Sequence, residues 1–185
     1  MPQKGDVFAM CDAGQRSALK FFAHHRFEYS TTIFAYRWDG VLSEVPPTFN
    51  HAQIRAMEDP FSTWCREQKA RFDSVPRTLQ TLSPIEQDEF IGFEAHLNGR
   101  RVGEVTAVLG HEDFGVIHWR VDKEVRKRGI GRQLLCALLR AITDKGRGMV
   151  IHVDGLTPDV GSSLSTLGFW VYRSWQCFRL REGSK

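Results

Sequence analysis

The sequence predicts an α/β fold with a mixed sheet flanked by helices, and two stretches carry the prediction. The first runs from Phe114 to Val153 in the order strand, charged turn, helix, strand, which is most simply a right-handed crossover between parallel neighbours. The second is Asn98-Gly99, set between two apolar, β-rich runs. It is the strongest short-range signal for a hairpin, because both central residues of a type I′ turn need positive φ. One stretch supplies a parallel pair and the other an antiparallel pair.

Length and composition set the bounds. A chain of 185 residues suits one domain, large enough to bury roughly two thirds of its unfolded surface. Cys11, Cys65, Cys136 and Cys177 form no Cys-x-x-Cys pair, so neither a zinc ribbon nor a redox motif is indicated. No run of eighteen apolar residues occurs and the N-terminus leads into no long apolar segment, so neither a secretion signal nor a membrane span is read, and a cytoplasmic protein without a membrane partner is expected. The net charge of +3 suits an anionic ligand without requiring a nucleic acid.

Taken in order, Gln15 to His25 reads as a short helix with Ala18, Leu19 and Phe22 on one side. Phe27 to Trp38 has strand-like content and ends in the turn dipeptide Asp39-Gly40, with Val41 to Val45 as the candidate returning arm before Pro46-Pro47. Asn50 suits an N-cap, which predicts a helix from His51 to Met57 that Pro60 interrupts. Phe61 to Phe72 follows as a second helix, and Leu79 to Gln87 as a connector. Adjacent His24 and His25 point to different sides of either regular structure, and His51 has no ligand-type neighbour at suitable spacing, so these histidines predict no metal.

Glu89 to Leu97 and Arg101 to Leu109 are the two arms of the hairpin. Phe114 to Val121 is the next strand, and Asp122 to Arg128 the charged turn. Ile130, Leu134, Leu138, Ala141 and Ile142, widened by Leu135 and Leu139, trace one face of a helix that stops at Asp144-Lys145-Gly146. Met149 to Val153 returns as a strand. A short helix from Asp159 to Leu167 ends at Gly168, and an aromatic-rich strand runs from Phe169 to Leu180. Trp170, Tyr172, Trp175 and Phe178 on that strand are available for a pocket, a dimer seam or ordinary sheet packing.

The turn before the long helix carries the chemistry. The first amides of a helix have no partners within it, the helix dipole is positive there, and Gly129 and Gly131 let an anion approach the backbone. Arg126, Lys127, Arg128 and Arg132 add positive charge around it. A solvated basic turn has the same charge; the placement between strand and apolar helix favours an anion site. A dinucleotide fingerprint is disfavoured because the third glycine position is Leu134 and several charged residues separate strand from glycine. No P-loop Gly-Lys-Ser or Gly-Lys-Thr is present.

Val121 followed by Arg126-Lys127-Arg128-Gly129-Ile130-Gly131 resembles the acyl-CoA signature of the GNAT superfamily of N-acyltransferases, Arg or Gln, two residues, Gly, one residue, Gly or Ala. The closing Gly168-Phe169 is similar to the family's Gly-Phe. The resemblance covers Glu89 to Leu180 and implies a GNAT-like fold, with a central, mostly antiparallel sheet and one parallel strand-helix-strand crossover. Residues 1–185 form one such domain on this reading, with 1–88 a variable acceptor-side region holding two helices and 89–180 holding the hairpin, the CoA-binding motif and the C-terminal half.

The implied activity is transfer of acetyl from acetyl-CoA directly to an amine, with no metal. The implied cofactor-binding residues are Trp119 and Val121 at the strand end, Arg126, Lys127, Arg128, Gly129, Ile130, Gly131 and Arg132 in the turn and helix start, and Thr157 and Ser162 further on. An amine of pKa near 10.4 is mostly cationic at pH 7, so freeing its lone pair costs roughly 4 to 5 kcal/mol and calls for a base or a desolvating pocket. The family's usual acid, a tyrosine four residues before the glycine of Gly-Phe, is Leu164 here, and a frequent base position on the motif strand is Gly115. Glu104, His118 and Tyr172 are the substitute candidates, with His152 a further titratable group. Strand alternation turns His118 away from the side of Ile117 and Trp119 unless a bulge resets the phase.

The expected acceptor is an amine-bearing small molecule, a peptide or an aminoacyl-tRNA, met by a monomer or homodimer. A CoA-binding regulatory or interaction module without turnover is the alternative, motivated by Leu164 and Gly115. A nucleic-acid reading would rest on Arg100, Arg101 and the motif arginines, and would demand a steep salt dependence.

Overall fold

The computed structural model of the chain describes residues 7–40, 52–72, 90–110, 113–155 and 158–180. In chain order the elements are β1 (Phe8–Asp12), α1 (Arg16–His24), β2 (Phe27–Trp38), β3 (Gln53–Ala56), α2 (Pro60–Phe72), β4 (Phe90–Leu97), β5 (Arg100–Leu109), β6 (Phe114–Val121), a 3-10 turn (Lys123–Val125), α3 (Ile130–Thr143), β7 (Met149–Asp154), α4 (Pro158–Ser165) and β8 (Trp170–Leu180). They fall into two compact units, Met1–Arg37 with His152–Lys185, and Trp38–Ile151.

In the first unit β8 pairs antiparallel with β1 and with β2. Strand β1 was not foreseen from the sequence; Phe8 to Asp12 is too short to show a period. Helix α1 packs Phe22 against Phe178 of β8, ring centroids 4.9 Å apart, and against Phe27 of β2 at 5.3 Å. Helix α4 ends in a turn that Gly168 closes at φ 88°, with the Phe169 amide donating to the Leu164 carbonyl.

In the second unit β3, β4, β5 and β6 pair antiparallel in that order, and the first residues of β7 pair parallel with β6. The mixed sheet and the parallel pair around α3 agree with the expected fold class. The β4–β5 hairpin turns through Asn98 at φ 52° and Gly99 at φ 78°, the doubly positive backbone that Asn-Gly predicts. Ile130, Leu134, Leu135, Leu138, Leu139 and Ile142 of α3 are all buried, so the apolar stripe is the inner face of the helix. At about 1.5 to 3 kcal/mol for each fully buried large side chain, this stripe is a principal anchor of the unit.

The helix expected from His51 to Met57 is not formed where the structure describes it. Residues 53–56 are instead β3, with Gln53 opposite His96 and Ala56 opposite Phe93. A helix of two turns is marginal in water, and pairing with an exposed strand edge supplies the backbone with hydrogen bonds that so short a helix cannot match. The region between β2 and the hairpin therefore holds a strand and one helix among the described residues. Pro60 begins that helix where it was expected to interrupt one. Its missing N–H costs nothing at the first helical position, and Asp59 before it accepts from the Ser62 amide at 2.8 Å. The proposed arm at Val41–Val45, the Asn50 cap, His51 and the connector at 79–87 lie outside the described residues.

Candidate functional site

Two bulges decide which side chains meet. On β6, Thr106 faces His118 while the next residue, Ala107, faces Val116, so Ile117 is the extra residue. The bulge lets Phe114 and Val116 before it share a side with Trp119 and Val121 after it. That side carries α3: a Cβ built on Gly103, opposite Val121, would lie 3.2 Å from Leu134 Cδ1. His118 and Arg120 face the other side with Glu104, as alternation with Trp119 predicts. On β5, Ala95 faces Gly103 and His96 faces Arg101, which makes Val102 an extra residue and brings Arg101 round to the side of Glu104.

The result is a buried cluster. His118 Nε2 lies 3.0 Å from Glu104 Oε1, each side chain only 5% exposed, and Arg101 Nη1 lies 3.1 Å from Glu104 Oε2. The Arg101 contact is an ion pair without hydrogen-bond geometry, so Oε2 is a buried acceptor with no donor. Burial pushes the Glu104 carboxyl up. The hydrogen bond with His118 and the positive charges of Arg101, His118 and Arg120 outweigh it and hold the group below its ordinary value. Helix α2 covers the neighbouring part of the same side, where a Cβ on Gly92 would meet Met57 and Pro60 at under 3 Å. Beyond it an open pocket of about 170 Å³ is lined, among the described residues, by Arg101, Gly103, Glu104, Arg120 and Asp122.

The turn leading into α3 is built as the anion reading requires. Arg126 Nε donates to the Val121 carbonyl at 2.9 Å, tying the turn to the strand end. Lys127 at φ 62° and Gly129 at φ 80° take the left-handed backbone that brings the chain into the helix. The first backbone bond of α3 is donated by Gln133 to Gly129, and the amides of Gly129, Ile130, Gly131 and Arg132 reach no backbone carbonyl among the described residues. Among the described residues no side chain caps this end.

Gly131 rests on Trp119, where an added Cβ would lie 3.3 Å from the indole. Trp119 Nε1 and Arg132 Nε are both buried donors without an acceptor among the described residues. Bare amides, a glycine seated on an indole and two orphaned N–H groups fit a polyanionic ligand such as the CoA diphosphate.

The remaining expectations are placed as follows. Tyr172 belongs to the other unit, is itself the extra residue of a bulge between β2 and β8, and packs edge-on against Trp170 at 6.1 Å. In that unit Leu164 is fully buried and His152 is exposed beside Trp175, centroids 5.5 Å apart. Ser162 is exposed, whereas the Ser163 and Ser165 hydroxyls donate to carbonyls one turn back along α4. Thr157 lies outside the described residues. Among the described residues no group of three or more His, Cys, Asp or Glu is arranged to hold a metal ion, and no helix is long and apolar enough to cross a membrane. Sequence reasoning named Glu104 and His118 singly; their pairing, and the part of Arg101 and Arg120 in it, depend on register and bulges that no local signal announces.

The profile of the acetyltransferase (GNAT) family matches residues 51–159, more than half of the chain. No curated protein sequence matches. Among solved structures, a GCN5-related N-acetyltransferase from Sphaerobacter thermophilus is similar over 98% of this chain at 17% identity, with a TM-score of 0.70. This chain spans 62% of the length of that protein. A GCN5-related N-acetyltransferase from Kribbella flavida is similar over 96% of this chain and 69% of its own at 12% identity, TM-score 0.65. AAC(6')-Iy, solved in complex with the bisubstrate analogue CoA-S-monomethyl-acetylneamine, is similar over 65% of this chain and 92% of its own at 21% identity, TM-score 0.50. At these identities the likenesses speak for the fold, and the profile match carries the relationship: the chain belongs to the GNAT family of acetyltransferases.

Proposed function

We propose that this protein is an acetyl-CoA-dependent N-acetyltransferase that passes the acetyl group directly to an amine. The observation that carries the reading is the row of unpartnered amides from Gly129 to Arg132 at the head of α3, directly after the parallel strand. These amides, with Trp119 Nε1, Arg132 Nε and the charges of Arg126, Lys127 and Arg128, hold the diphosphate. A backbone amide near Val121 meets the thioester carbonyl. Within residues 1–88, the segment that carries β3 and α2 borders the acceptor side, and residues 89–180 supply the cofactor turn together with Glu104.

Acetyl-CoA supplies an acyl group already activated as a thioester. The protein's own residues then have two tasks, orientation and proton transfer. Glu104 is ionised at neutral pH, buried, and short of one hydrogen-bond donor, so its Oε2 accepts from the incoming ammonium and takes one proton before attack, freeing the nitrogen lone pair that forms the C–N bond. His118 holds Oε1 and fixes the carboxylate. The C–S bond breaks as the tetrahedral adduct collapses, and the second proton of the acylated nitrogen passes through water to the CoA thiolate.

Calorimetry with CoA, followed by thiol release in the presence of amines, tests the reading. Gly131→Val, which drives a side chain into Trp119, is expected to lower CoA affinity by tenfold or more. Unchanged affinity in that variant, or a wild-type protein that ignores CoA, overturns the proposal. A second reading, a CoA-binding module without turnover, is favoured by the burial of Leu164 where relatives place a tyrosine. Tight CoA binding with no acceptor-dependent thiol release across amines, peptides and aminoacyl-tRNA would establish it.

A further inference from the structure

We propose that the pocket lined by Arg101, Gly103, Glu104, Arg120 and Asp122 is the acceptor's recognition site and selects a free α-amino acid, with the amine on Glu104 and the carboxylate between Arg101 and Arg120. The inference rests on the acetyltransferase reading and names the substrate class of that site.

Size is the first argument. About 170 Å³ is well below the ~300–1,000 Å³ of a site that engulfs a drug-sized ligand, so the pocket takes a small molecule or a small head group. Charge is the second. Each lining guanidinium is already matched with a carboxylate: Arg101 with Glu104 at 3.1 Å, and Arg120 with Asp122 at 3.5 Å. Asp122 also receives Arg100 at 3.3 Å. A ligand of one sign would be attracted by one pair of groups and repelled by the other. A molecule that brings an ammonium and a carboxylate a few bonds apart satisfies both.

The third argument is the orphaned acceptor. Glu104 is 96% buried on its 4% relative exposure and lines the pocket, yet Oε2 has no hydrogen-bond donor, the Arg101 approach being out of line. Such an atom costs free energy unless something fills the place. An ammonium supplies three donors there and competes with Arg101 for Oε2. Arg101, 38% exposed and carrying five N–H groups in a planar fork, then turns part of that fork to the ligand's carboxylate. Arg120, with its own fork, adds to this without giving up Asp122.

The test is a binding experiment, so that it does not depend on turnover. The twenty common α-amino acids are titrated calorimetrically into the full chain with and without saturating CoA. The amide and the decarboxylated amine of the tightest binder follow. At least one acid is expected to bind, with its amide and its amine each bound tenfold or more weakly. In Arg101→Gln and Arg120→Gln, both substitutions at half-exposed positions, the acid is expected to fall towards the affinity of its amide, while circular dichroism and CoA affinity stay as in the wild type. Failure of every amino acid to bind, or equal binding of acid, amide and amine, overturns the inference. A protein that binds CoA but shows that equality keeps the acetyltransferase reading and loses only the acceptor class; a protein that ignores CoA loses the acetyltransferase reading whatever the amino acids do.

Discussion

Arg126 does not simply lend its charge to the turn: its Nε donates to the Val121 carbonyl 2.9 Å away, closing a five-residue loop between the strand end and the helix start. The Nε of a guanidinium lies inside the planar fork, and lysine has no equivalent donor at that place on its side chain. Arg126→Lys therefore keeps the charge and loses the tie. With the bond exposed, global stability is expected to fall by no more than about 1 kcal/mol. CoA affinity, which depends on the turn holding its amides in register, is expected to fall about tenfold, and Arg126→Met no further. Calorimetric titration of both variants checks this; a lysine variant that binds as well as wild type would mean that charge alone matters at this position.

Trp119 offers a cleaner separation of folding from binding. Its indole N–H is buried and unsatisfied among the described residues, so removing that donor costs the folded protein no hydrogen bond, and Trp119→Phe is expected to lower the urea midpoint only by the packing its smaller ring gives up beside Gly131. If Nε1 serves the ligand, the same substitution removes a hydrogen bond to a charged group, worth about 1.5 kcal/mol or roughly tenfold in CoA affinity. A variant that loses stability in step with affinity would instead assign Trp119 to packing beneath Gly131.

Much of this site was legible because its signals are local. The α3 stripe repeats Ile130, Leu134, Leu138 and Ile142 at helical spacing, and all four are buried. The glycines of the turn stand where the backbone needs them, and Asn98-Gly99 fixes the hairpin within itself. What could not be read is set by distant pairings. The approach of Arg101 to Glu104 needs the extra residue Val102, and the diagonal between Glu104 and His118 needs the β5–β6 register. The segment around Gln53–Ala56 carried a helix signal too short to resist a strand partner supplied from the hairpin.

Asp59 tests the corrected reading of that region. If Pro60 opens α2, the Asp59 carboxylate is its cap through the 2.8 Å bond from the Ser62 amide, and hydrogen bonds from Ser62 are what hold its pKa below the ordinary value. Asp59→Ala is expected to cost about 1 kcal/mol, and Asp59→Asn much less, since an amide oxygen caps nearly as well. Chemical denaturation of the two variants at pH 7 measures the difference. Equal effects would show that charge, and not the cap geometry, is what Asp59 contributes.

Glu104 should leave its mark on the acid limb of stability. Burial raises its pKa, but the His118 hydrogen bond and the neighbouring positive charges more than reverse this, so the folded value lies below the unfolded one of about 4.3. With the folded pKa depressed, the native state binds the proton less readily than the unfolded state. The stabilisation is complete above the unfolded value and is lost as pH falls from there through the folded value. Wild-type unfolding free energy is accordingly expected to decline below about pH 4.3. Glu104→Gln, nearly isosteric, should remove this group's share of the decline while lowering stability at pH 7, because Arg101 then loses its counter-charge and His118 a charged hydrogen-bond partner. Amine-dependent thiol release by the same variant should drop by at least 10²-fold, the lower range for loss of a general base. Urea titrations between pH 3 and 7 decide the first point: an acid limb as steep in Glu104→Gln as in wild type would place the coupled proton on another carboxylate.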